Sequence, residues 1–178
     1  MKPEFSSTTI IAVHRNGKMA VGGDGQVTMT STVIKSNAVK LRRLYNDSVI
    51  VGFAGAVADA FSLIEKFEGQ LEKYSGNVRR AAVEMAKEWR TSKMLRHLET
   101  LMIVASKEVL LLLSGTGEVI EPDDDVIGIG SGGPYAISAA RAMMKFTKFS
   151  AKEIVEESLK LAAELCIYTN DNIKVEEI

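Results

Sequence analysis

The chain has 178 residues, 46% hydrophobic and 25% charged, which is enough ordinary globular sequence to bury one real core. Its 22 Lys and Arg nearly balance 23 Asp and Glu with no basic stripe, so a nucleic-acid role has no electrostatic support. Apolar runs such as Val109 to Leu113 are too short to span a bilayer and the N-terminus lacks a signal-peptide core; with one cysteine, Cys166, excluding a disulfide framework, a reducing cytoplasmic setting is expected.

A short polar leader, Met1 to Ser7, precedes a strand-like run from Thr8 to Val13. Asn16-Gly17 signals a hairpin into a second strand, Met19 to Gly23. Val27 to Ile34 is a weaker, Thr-rich strand candidate and Ser48 to Ala54 a better one. Val57 to Tyr74 sets Phe61, Ile64, Phe67 and Leu71 at helical spacing, with Ser75-Gly76 as the stop. Asn77 caps a second helix, apolar at Val78, Ala82, Met85 and Trp89, that runs to about Leu98. Leu101 to Ala105 and Val109 to Leu113 flank Ser106-Lys107-Glu108 as a hairpin. Gly115-Thr116-Gly117 then turns into Glu118 to Ile120, and Val126 to Ile129 is another strand. Tyr135 to Phe146 and Ser150 to Cys166 read as helices, the second capped by Ser150 with Glu153 three residues on. Asn172 to Ile178 alternates like an edge strand. Grouped strands and grouped helices predict an α+β fold with antiparallel sheets and helices packed outside. No linker or repeat divides the chain, so residues 8–178 are expected to form a single domain.

Several residues would carry chemistry in the right company. Thr8 is either the first residue of a Thr-rich strand or, once the leader is removed, a hydroxyl and a free α-amine on one residue. An α-amine has a pKa of roughly 7.7–8.0 and can take the hydroxyl proton. Asp24, in Gly22-Gly23-Asp24-Gly25, reads as a turn residue or as a carboxylate presented at a strand end. Lys40 reads as solvated surface or as an ammonium that disfavours protonation of a nearby amine, with Asp24 holding it in place. Gly55, in Gly52-Phe53-Ala54-Gly55, serves close packing or offers a backbone N–H to an oxyanion.

Gly128-Ile129-Gly130-Ser131-Gly132-Gly133 contains the G-x-G-x-x-G pattern of a dinucleotide site. Such a site needs a further parallel strand and an acidic residue about 20 residues on. Here that window, Ser150 to Glu156, reads as a helix start. Ser131 instead presents a hydroxyl between glycines. His14 and His97 lie far apart, and no His/Cys cluster has metal spacing. Cys166 falls in an apolar helical pattern and reads as a buried structural thiol.

Taken together, Thr8-Thr9-Ile10, Arg15-Asn16-Gly17, Gly22 to Val27, Gly52 to Gly55, Ala58 to Phe61, Glu88 to Thr91, Gly130 to Gly133 and Cys166 to Asn170 resemble the HslV (ClpQ) peptidase family. These are bacterial relatives of proteasome β-subunits. The resemblance runs from Thr8 to the C-terminus in one register, with a gap of about one residue near the Ser106-Lys107 turn. It implies the four-layer αββα sandwich of N-terminal-nucleophile hydrolases and a homo-oligomer of two stacked hexameric rings, a dodecamer with its active sites inside. It also implies a hexameric ATPase partner, HslU (ClpY), which holds the ATP site, unfolds protein substrates and activates the peptidase on docking.

By the same resemblance, Thr8 is the nucleophile and its α-amine the general base, directly or through water. Lys40 tunes that amine, Asp24 orients Lys40, Gly55 N–H is the oxyanion donor, and Ser131 bonds near the amine. The family binds a monovalent cation, usually sodium, through backbone carbonyls that correspond here to Ala163, Cys166 and Thr169. The first of these is usually glycine. No other cofactor, nucleic acid or membrane is implied. The chief rival reading is a non-catalytic structural subunit of a proteasome-like particle.

Overall fold

The computed structural model describes residues 8–55, 57–93, 95, 98 and 100–178; the leader at 1–7 and His97 lie outside them. In chain order the elements are β1 (Thr9–Arg15), β2 (Lys18–Gly23), β3 (Val27–Met29), β4 (Thr32–Lys35), β5 (Leu41–Leu44) and β6 (Val49–Ala54). Helices α1 (Val57–Lys73) and α2 (Val78–Thr91) follow, then β7 (Leu101–Ser106), β8 (Leu110–Ser114), β9 (Val119–Ile120) and β10 (Val126–Gly130). Helices α3 (Gly133–Phe146) and α4 (Ala151–Leu165) and strand β11 (Lys174–Glu177) complete the order.

Two antiparallel sheets result, ordered β10-β1-β2-β11 and β5-β6-β7-β8-β9, with β3 and β4 forming a separate hairpin. Side chains alternate across a strand, and here both faces of the central strands are apolar. Ile10 and Ala12 of β1 meet Ile50 of β6 and Ile103 of β7 between the sheets. Ile11 and Val13 of β1 turn the other way, onto Ile154, Val155 and Leu159 of α4 and Ala136 and Ala140 of α3. Val49, Val51 and Phe53 of β6 pack against Leu63, Phe67, Leu71, Met85 and Trp89 of α1 and α2. Three apolar interfaces therefore separate four layers, helices–sheet–sheet–helices, which is the expected sandwich. Each fully buried Ile, Leu or Phe contributes about 1.5–3 kcal/mol relative to exposure.

The hairpin at Asn16-Gly17 forms as predicted, with φ of 53° and 72°, the left-handed pair that a type I′ turn needs. Asn77 caps α2 by accepting from Arg80 N–H, and Ser150 and Glu153 form a reciprocal capping box at α4.

Four predictions change. The Val27 to Ile34 run is two strands, because Thr30 at φ 54° turns the chain between them. The buried stripe of α1 is Leu63, Phe67 and Leu71, spaced by four, while Phe61 is 55% exposed on another face. Helix α2 stops at Thr91 because Ser92 takes extended backbone (ψ 126°) while its N–H still reaches Glu88 O. The chain then folds back, so that Trp89 Nε1 donates to Leu95 O at 3.1 Å. Strand β5 was not expected at all. Its Leu-Arg-Arg-Leu pattern buries one leucine on each side of the sheet and exposes both arginines. Among the described residues no helix is long and apolar enough to cross a membrane.

Candidate active site

The site begins with the pairing of β1 and β2, in which Ile10 lies opposite Gly23. That register sets Thr8 and Thr9, at the start of one strand, beside Asp24, just past the end of the other. Thr9 N–H donates to Asp24 Oδ1 at 2.8 Å, and Asp24 N–H donates back to Thr9 O at 3.1 Å. Asp24 is 1% exposed. Its Oδ1 also accepts from Lys40 Nζ at 2.6 Å, and its Oδ2 accepts the backbone N–H groups of Gln26 (2.9 Å) and Asn170 (3.4 Å). A buried carboxylate is tolerated when its lone pairs are filled in this way.

Lys40 arrives from the stretch before β5, and its side chain is only 7% exposed. Burial pushes the ammonium pKa below its usual 10.5, while the charge of Asp24 and its hydrogen bond act in the opposite direction. The lysine is thus a desolvated cation fixed by one carboxylate, and that carboxylate is fixed to the Thr8-Thr9 segment.

A second clamp comes from the loop after β10, since Thr9 lies opposite Gly130 in the β1–β10 pairing. Ser131 N–H donates to Thr8 O at 3.0 Å. Gly130 adopts φ 84°, and any Cβ there would overlap Thr8 O, so only glycine permits that contact. Next along the loop, Gly132 N–H donates to Thr9 Oγ1 at 2.9 Å, and Thr9 Oγ1 also pairs with Thr169 Oγ1 at 2.7 Å. The glycine loop spends its amides on β1, and α4 rather than a parallel strand follows α3, so the dinucleotide pattern has no Rossmann context.

Asp24, Lys40 and the Gly130–Ser131 backbone therefore meet at the Thr8-Thr9 segment. Gly55 follows Ala54, whose Cβ packs toward Gly130, and adopts φ 151°. Ser131 is exposed and bonds to Thr8 through its backbone. His14 lies elsewhere, 3.4 Å from Asp125. The supporting groups not expected from sequence are the Thr9 and Thr169 hydroxyls, Gln26 and Asn170. Asn170 Oδ1 accepts from Gly25 N–H at 3.0 Å, and Gln26 Nε2 donates to Ile167 O at 2.9 Å, tying the β2 end to the chain after α4. Their sequence signal is that all four residues fall within the runs that carry the family resemblance, Thr8 to Ile10, Gly22 to Val27 and Cys166 to Asn170.

Ala163 lies in the last turn of α4, and Cys166 and Thr169 follow the helix. Cys166, buried as expected, is the C-cap, and its carbonyl accepts Thr169 N–H at 3.0 Å. Carbonyls at a helix C-terminus carry partial negative charge and suit a hard cation. Ligation by backbone oxygen does not depend on the alanine side chain, so the donors present fit a monovalent ion. Among the described residues no cluster of three or more His, Cys, Asp or Glu side chains could hold a metal.

Comparison with known proteins identifies the family. A family model described as proteasome subunit matches residues 4–178. The solved structure of HslV from Trypanosoma brucei is 42% identical, with 95% of this chain and 98% of that one aligned at a TM-score of 0.91. Two structures of Thiobacillus denitrificans BPH, one in complex with epoxomicin, share the fold at 17% identity. They align over 96% of this chain and 97% of theirs, with TM-scores of 0.74 for the complex and 0.71 for the other. The chain belongs to the proteasome subunit family, in its HslV branch of proteolytic subunits.

Proposed function

We propose that this chain is the proteolytic subunit of an ATP-dependent cytoplasmic protease, a threonine endopeptidase whose nucleophile is Thr8 after removal of residues 1–7. The observation that carries the reading is the buried Lys40–Asp24 pair, with Asp24 bonded directly to Thr9 N–H. A buried ion pair is weak as a stability device. It has a clear task beside an N-terminal amine, whose protonation a neighbouring ammonium disfavours.

In this mechanism the Thr8 α-amine takes the hydroxyl proton, directly or through water, and Oγ1 attacks the substrate carbonyl. Lys40 keeps the amine unprotonated and Asp24 keeps Lys40 in place. Gly55 N–H stabilises the oxyanion, a type of contact worth roughly 2.7–4 kcal/mol in acyl-transfer enzymes. The amine returns its proton to the leaving nitrogen, leaving an ester on Thr8 that water hydrolyses. Ser131, held to the Thr8 carbonyl, hydrogen-bonds near the amine. A sodium ion on the carbonyls of Ala163, Cys166 and Thr169 would supply a fixed positive charge that orders the turn carrying Thr169.

The family relationship supports a ring-shaped assembly and an ATPase partner in general terms. We assign two stacked hexamers, with unfolded protein fed in by a hexameric HslU-type ATPase. The experiment is intact mass before and after a peptide epoxyketone, which needs a hydroxyl and a free α-amine to form its ring adduct. A chain that starts at Thr8 and gains one probe mass is expected. A chain that keeps residues 1–7 and stays unlabelled would favour the structural-subunit reading.

A further inference from the structure

Thr100 is 3% exposed, and its Oγ1 has no hydrogen-bond partner. A buried orphan hydroxyl costs about 1–3 kcal/mol, so its place invites an explanation. Strand pairing supplies one. Ala54 of β6 lies opposite Leu101 of β7, the last registered pair at that end of the sheet. Gly55 and Thr100 are the next residue on each side.

At φ 151°, Gly55 adopts backbone that L side chains rarely take, and a Cβ there would overlap Thr100 Oγ1 and lie 3.0 Å from Thr100 Cβ. Thr100 thus fills the space in which any other residue at 55 would place its side chain, and the hydroxyl is its nearest atom. The preceding residue, Ala54, packs toward Gly130, whose loop clamps Thr8 O. A shift of Gly55 would therefore be felt next to the nucleophile.

We infer that Thr100 is a positioning residue. Its hydroxyl, packed against the Gly55 α-carbon, sets the direction of the Gly55 peptide and so aims that N–H at the carbonyl attacked by Thr8. The inference rests on the reading of Thr8 and Gly55 given under Proposed function. A hydroxyl suits the place because it is smaller than the methyl that valine would put there. The missing hydrogen bond is the cost of that choice.

The test uses the assembled, processed enzyme with and without its ATPase. Thr100→Val replaces the hydroxyl by a methyl, Thr100→Ser keeps it, and Thr100→Ala removes it without adding bulk. Removing an aligned donor costs about 100-fold or more and a small misplacement less, so a kcat lower by about 10-fold with KM within about twofold is expected for Val and Ala. Thr100→Ser should retain at least about half of kcat, since it keeps the hydroxyl against Gly55. End-point labelling of Thr8 by the epoxyketone should remain complete in all three. Wild-type kcat in Thr100→Val or Thr100→Ala, or an equal loss in Thr100→Ser, overturns the inference while leaving the Thr8 mechanism standing. If Thr100→Val does not assemble, Thr100→Ala and Thr100→Ser alone decide it. A wild-type enzyme that the probe never labels overturns the mechanism itself.

Discussion

Thr9 and Asp24 exchange two hydrogen bonds, Thr9 N–H to Asp24 Oδ1 at 2.8 Å and Asp24 N–H to Thr9 O at 3.1 Å. The oxygen that accepts from Thr9 is also the one that holds Lys40. One carboxylate oxygen therefore joins the backbone beside Thr8 to the lysine.

Thr8→Ala should abolish peptide cleavage and leave assembly intact. Its carbonyl contact with Ser131 is a backbone one, which alanine keeps. Turnover of a fluorogenic peptide, with sizing of the particle, checks both halves. Unchanged turnover would end the threonine-nucleophile mechanism.

Lys40→Ala should slow cleavage by at least about 100-fold, the usual scale for a group in acid–base catalysis. Single-turnover rates measure this most directly. A near-normal rate would remove Lys40 from the chemistry.

The same lysine predicts a pH dependence. Its pKa is below 10.5 when folded, chiefly through burial. The unfolded chain therefore binds more protons at this residue between the folded value and 10.5, and stability rises with pH across that window. Put the other way, its contribution is greatest above 10.5 and is lost as pH falls through the folded value. Wild type should gain on Lys40→Met in urea midpoint as pH climbs toward 10.5. A gap that stays constant or narrows would contradict the direction of the shift.

Thr9→Val should destabilise the protein by about 1–3 kcal/mol, because Gly132 N–H and the Thr169 hydroxyl lose a buried partner. In a chain of this size that is a fall in Tm of roughly 2–4 °C per kcal/mol. Calorimetry on the assembled particle would show it, and no change in Tm would count against a structural role for this hydroxyl pair.

Gly130→Ala should cost about 100-fold in cleavage, since the new Cβ must push Thr8 O away and Å-scale misplacement of a reacting group is that expensive. Peptidase assays on correctly sized particles test this. Full activity would mean that the Thr8 carbonyl need not sit where it does.

Much of this was legible in the sequence because the signals are local. Short continuous apolar runs marked β1, β6 and β7, and Asn77 and Ser150 marked helix starts by side-chain oxygen at the right offset. What was not legible depends on tertiary company. Leu41-Arg42-Arg43-Leu44 has no strand-like alternation until a sheet edge gives its arginines solvent and Arg43 meets Glu176. The spacing of Phe61, Ile64, Phe67 and Leu71 fits a helix, but the buried face is centred elsewhere, and Leu63 shares it with Phe67 and Leu71. In the site, Thr8, Asp24 and Lys40 were readable as residue types in a family pattern. The Asn170 and Thr169 contacts were not, because nothing local ties position 170 to position 24. Thr100 carries no local signal, since its relation to Gly55 exists only in the sheet register.

The hydrogen bonds around Thr9 also set an order of events during synthesis. Translation produces Thr8 and Thr9 well before the groups that frame them, since Gly132 is 123 positions away from Thr9 and Thr169 is 160 positions away. Contacts of such long range form late in folding, and these cannot form on the ribosome until Gly132 and Thr169 have themselves emerged. A nascent polypeptide therefore carries Thr8 and Thr9 without the framework around them, and the Thr8–Asp24–Lys40 arrangement is completed only once the C-terminal part of the sequence is made.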